Sequence, residues 1–66
     1  MKEQAYMVFV DIWRLAYRYQ FQKMTDDQWA EFIKMGKEGM GRYRGTSVEH
    51  LYRNLFMAVQ SFYEKF

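Results

Sequence analysis

The segment Ala5-Tyr6-Met7-Val8-Phe9-Val10-Asp11-Ile12-Trp13-Arg14-Leu15-Ala16-Tyr17 carries more apolar surface than one helix face can use. One stripe, Ala5, Val8, Phe9, Ile12, Leu15, Ala16 and Tyr19, follows the i, i+3, i+4, i+7 spacing of a buried helix face. A second stripe, Tyr6, Val10, Trp13, Tyr17 and Met24, repeats beside it at steps of four, three, four and seven. A helix with two apolar stripes needs two neighbours. In a chain of 66 residues, one of them is expected to come from another molecule.

The rest of the sequence extends this reading to three helices. Half of the residues are apolar and 21% are aromatic, whereas a helix facing one core needs apolar residues at about three positions in seven. Thr25-Asp26-Asp27-Gln28 matches a capping box, and its two aspartates suit the positive end of a helix dipole. Thr46-Ser47-Val48-Glu49 repeats the pattern, and Gly45 before it is a natural left-handed helix stop. The expected helices cover about 3–23, 26–44 and 47–65 in a single domain. Trp29, Phe32, Ile33, Gly36, Met40 and Tyr43 form the expected buried face of the second. In the third, Val48, Leu51, Tyr52, Leu55, Ala58, Val59, Phe62 and Phe66 point inward, with Phe56 and Tyr63 widening the face. The fold class is all-α, a small three-helix bundle with short connections, completed by oligomerisation.

Composition excludes several function classes. There is no cysteine for a disulfide, and the lone His50 cannot form a zinc site, so no metal or cofactor is expected. No uncharged stretch approaches the roughly 20 apolar residues that cross a bilayer. Asp11 and Arg14 interrupt the region where a secretory leader would be apolar, so a cytoplasmic protein is expected. A helix lying on a membrane surface would carry a lysine-rich polar face, which the first segment lacks.

Catalysis has little support. Ser47 and His50 lie one helical turn apart, but no third residue is identifiable to orient the imidazole or to hold an oxyanion. The acidic pair Asp26-Asp27 is explained by its helix start. The glycine-rich stretch Gly39-Met40-Gly41-Arg42-Tyr43-Arg44-Gly45 lacks the preceding strand and the lysine of a phosphate-binding loop, and reads as a helix end.

Two binding readings remain. The first is a non-enzymatic protein-interaction module, most simply a homodimer, joined through Tyr6, Val10, Trp13 and Tyr17 with Phe56 and Tyr63 as neighbours. Its competitor within one molecule is a first helix wedged between the other two, consuming both stripes. The second binding reading is a small DNA- or RNA-binding accessory protein, of the kind phages and mobile elements carry, using Arg14, Arg18, Arg42, Arg44 and Arg53. The net charge of +2 is mild and basic and acidic residues are interleaved, which favours the first reading.

Overall fold

A computed structural model describes residues 2–66, and among them every regular element is helical. The helices are α1 (Lys2–Tyr17), α2 (Asp26–Tyr43) and α3 (Glu49–Glu64). Together they form an elongated bundle of 35 × 17 × 16 Å. α1 makes its most extensive contact with α3 and its least with α2.

α2 starts as its cap dictates. The Gln28 N–H donates to the Thr25 hydroxyl at 3.2 Å, and the Thr25 N–H donates to the Gln28 side-chain oxygen at 2.9 Å. Both halves of the capping box are therefore made. The helix stops before Gly45, whose φ of 78° suits a residue without Cβ.

The second capping box does not form. The Thr46 hydroxyl instead donates to the Tyr43 carbonyl and accepts from the Val48 N–H, while the Glu49 carboxylate accepts from the Gly45 N–H at 3.0 Å. Those bonds lock the turn between the helices, and α3 begins at Glu49 rather than 47. α1 is also shorter than expected, ending at Tyr17 instead of continuing to 23. Gln20 and Phe21 lie in the left-handed region at φ 55° and 56°. Conformations of this kind cost a side-chain-bearing residue about 1–2 kcal/mol.

A distant residue stabilises this break. The Tyr63 hydroxyl of α3 donates to the Ala16 carbonyl, one of the acceptors left free at the end of α1, and accepts from the Phe21 N–H at 3.0 Å. The Phe21 and Tyr63 rings lie parallel, with centroids 6.3 Å apart.

The core is built around Val8, Ile12 and Leu15 of α1, Phe32 of α2, and Tyr52, Phe56 and Tyr63 of α3, with Met24 sealing one end. Phe32 sits at its centre, stacked on Phe56 at 5.0 Å between ring centroids. Two glycines of α2 allow the aromatic residues of α3 to approach. A Cβ at Gly36 would enter the Phe56 ring, and one at Gly39 would enter the Tyr52 phenol. The Tyr52 hydroxyl uses this space to donate to the Gly36 carbonyl at 3.1 Å.

The buried face of α3 is rotated from the one expected. Phe56 and Tyr63 form its centre, while Ala58, Phe62 and Phe66 are exposed. On α1, Phe9 is likewise exposed rather than part of the core. No helix among the described residues is long and apolar enough to cross a membrane.

Candidate functional site

The surplus apolar surface of α1 stays on the outside. Tyr6, Trp13 and Tyr17 of the second stripe are 67%, 59% and 57% exposed, and Val10 is half-buried. α1 is therefore not wedged between the other helices with both stripes consumed. Phe56 and Tyr63, expected beside this stripe at a partner interface, are instead spent in the core. Their places are taken by Phe21, Phe62 and Phe66.

These rings form one connected run. Trp13 contacts Tyr17 with centroids 5.7 Å apart, and Phe21 lies 6.0 Å from Trp13 on one side and 6.0 Å from Phe62 on the other. Phe62 then meets Phe66 edge to face at 5.4 Å. The strained turn after α1 makes this continuity possible, because its left-handed backbone returns Phe21 to the α1–α3 seam. Between the two helices lies an apolar depression of about 240 Å³, bordered by Ile12, Ala16 and Phe21 and by Leu55, Ala58, Val59 and Phe62. Ala16 and Ala58 leave the space that larger side chains would fill.

The opposite side of α1 is polar and internally paired. The Arg42 guanidinium donates to Asp11 at 2.8 Å, and the Tyr43 hydroxyl donates to the same carboxylate oxygen at 2.5 Å. About two turns further along, just past the end of α1, the Arg18 guanidinium and the Tyr19 hydroxyl donate to Glu31 at 3.0 and 2.9 Å. These two knots tie α1 to α2 and set the register between them.

Titration follows this geometry. Bonding to Arg18, then to Tyr19, holds the Glu31 carboxyl below the usual carboxylate range, and Glu31 in turn raises the Arg18 guanidinium. Burial, reinforced by Glu31, pushes the Tyr19 phenol up to about 12. Burial and then Asp11 raise Tyr43, and burial raises Tyr52.

Of the five arginines that could contact nucleic acid, three meet. Arg14, Arg18 and Arg42 border a depression of about 200 Å³ between α1 and α2, together with Asp11 and Tyr52. Two of those three are already paired with carboxylates. Arg53 faces Glu49 at 3.7 Å within α3, and Arg44 lies in the turn after α2, so neither joins the cluster. Among the described residues no group of three or more His, Cys, Asp or Glu side chains is placed to hold a metal ion. His50 is exposed on the first turn of α3.

Sequence periodicity identified the exposed α1 stripe but missed Phe9, Phe21, Phe62 and Phe66. For Phe62 and Phe66 the spacing was visible, but it fits either of two adjacent faces of α3. For Phe21 no local signal exists, since its position depends on Tyr63, 42 residues away. Comparison with known proteins finds no matching family model, no similar curated protein and no similar solved structure.

Proposed function

We propose that the chain is a non-enzymatic protein-association module whose working surface is the aromatic face shared by α1 and α3. The observation that carries this reading is the run of partly exposed rings from Tyr17 through Trp13 and Phe21 to Phe62 and Phe66. Isolated exposed apolar residues are ordinary, but a contiguous aromatic surface beside an apolar depression is characteristic of an interface. Tyr and Trp suit this role because they combine a large apolar body with a polar tip.

Nucleic-acid binding is the second reading, supported by the meeting of Arg14, Arg18 and Arg42 at one cleft. It is weaker because a phosphate would have to compete with Asp11 and Glu31 for two of the three guanidinium groups.

Salt separates the two. Association through the aromatic face is expected to change little between about 50 and 200 mM salt, whereas binding through several phosphates falls steeply over that range. Val10→Glu or Trp13→Glu should abolish association while Arg14→Glu leaves it intact. Salt-sensitive binding to DNA or RNA, lost on charge reversal at Arg14 and Arg42, would establish the second reading instead.

A further inference from the structure

We propose, resting on the association reading, that the occupant of the α1–α3 face is a second copy of this chain. The two copies are related by a two-fold axis, and Trp13 of each seats in the depression beside Ala58 of the other.

The size of the depression selects a side chain. At about 240 Å³ it lies below the roughly 300–1,000 Å³ of small-molecule sites, and its lining offers no charged group to orient a metabolite. A large aromatic side chain suits it. The chain presents one alongside, because Trp13 follows Ile12 of the lining and is 59% exposed. A two-fold interface requires that one surface carry both the projection and its receptor. This face does.

Area supports a partner of this size. Tyr6, Phe9, Trp13, Tyr17, Phe21, Phe62 and Phe66 are each between 38% and 67% exposed. At about 150–250 Å² per ring, they leave roughly 750 Å² of aromatic surface uncovered, close to the about 800 Å² that each partner buries in a standard interface.

Charge is compatible with self-pairing. The chain carries a net charge of +2, so two copies repel weakly at long range, but neither the seven rings nor the lining include an Asp, Glu, Lys or Arg side chain. Lys2 and Glu3, of opposite sign, border a shallow depression with Tyr6 and Met7 at the start of α1. The rings and the lining themselves therefore bring no like charges together at the seat. Oligomerisation is also one of the few stabilising routes open to a chain this short without cysteine.

A reciprocal charge exchange tests the seat directly. Trp13→Lys and Ala58→Glu alter exposed positions, so each variant should keep the helical circular dichroism of the wild type. Each alone should weaken the wild-type dimer at least about 30-fold, the effect of losing a hot-spot contact. Mixed in equal amounts, they should form a heterodimer at least about tenfold tighter than either homodimer, because one junction then pairs Lys with Glu and the other is wild type. Folded variants that dimerise like the wild type, or a mixture that stays monomeric, would overturn the proposal. A monomeric wild type that captures a host protein through Trp13 would also overturn it, while leaving the association reading standing. A monomeric wild type that binds phosphatidylcholine–phosphatidylglycerol vesicles through Trp13, and no protein, would end both.

Discussion

The Tyr63 hydroxyl caps the end of α1, donating to the Ala16 carbonyl from 47 residues away in the sequence and accepting from the N–H of Phe21. One phenol thus satisfies two backbone groups at a helix end and holds the turn that brings Phe21 to the aromatic face. Its ring is buried in the core, and its hydroxyl reaches the turn that borders the aromatic face.

Tyr63→Phe keeps the ring and removes both bonds. Leaving buried polar groups unsatisfied costs about 1–3 kcal/mol, so the chemical-denaturation midpoint should fall accordingly. Hydrogen exchange at the Phe21 amide should accelerate more than exchange in the middle of α2. Unchanged stability and unchanged Phe21 protection would show that the cap does not hold the turn.

Two glycines of α2 should respond in opposite directions to the same substitution. Alanine is favoured over glycine in a helix by about 1 kcal/mol, and at Gly41 nothing lies within reach of the added methyl. Gly41→Ala should therefore stabilise the protein. At Gly36 the methyl would enter the buried Phe56 ring, and overpacking of that kind costs about 1–3 kcal/mol. Gly36→Ala should be net destabilising, and equal gains from both substitutions in equilibrium unfolding would contradict the close α2–α3 approach.

Tyr19 gives the fold an alkaline limit. Its phenol is raised from the ordinary 10.0 to about 12, so both folded and unfolded chains hold the proton below pH 10 and its contribution is fully present there. Between about 10 and 12 the unfolded chain loses the proton first, and stability falls; Tyr43 and Tyr52 act in the same direction. Glu31 has the opposite sense, since its lowered value stabilises above the ordinary carboxylate range and is lost as pH falls through the folded value. Exposure to solvent keeps that second effect small. The melting temperature should thus decline above pH 10, and less steeply in Tyr19→Phe. An identical alkaline slope in that variant would exclude the phenol as a cause.

The legible parts of this fold were those set by local chemistry. Thr25 and Gln28 bond to each other across three residues, so their pattern alone fixes the start of α2. Thr46 and Glu49 have the same spacing, but the Tyr43 carbonyl competes for the Thr46 hydroxyl, and that contest cannot be read from a motif. The end of α1 was hidden for a similar reason, since it depends on Tyr63. On α3, apolar residues cover so much of the circumference that periodicity cannot choose between a face centred on Phe56 and Tyr63 and one centred on Ala58 and Phe62. Proximity to Phe32 decides it, through the space left at Gly36. The exposed stripe of α1 was legible because Tyr6, Trp13 and Tyr17 repeat beside a complete core face.

Association through that stripe is the central claim, and sedimentation equilibrium of the wild-type chain from about 1 to 200 µM, a range spanning ordinary oligomer affinities, tests it most directly. The weight-average mass should rise with concentration from 8.2 kDa towards twice that value, with Trp13→Glu remaining at the lower limit. A wild-type mass of 8.2 kDa throughout would contradict self-association.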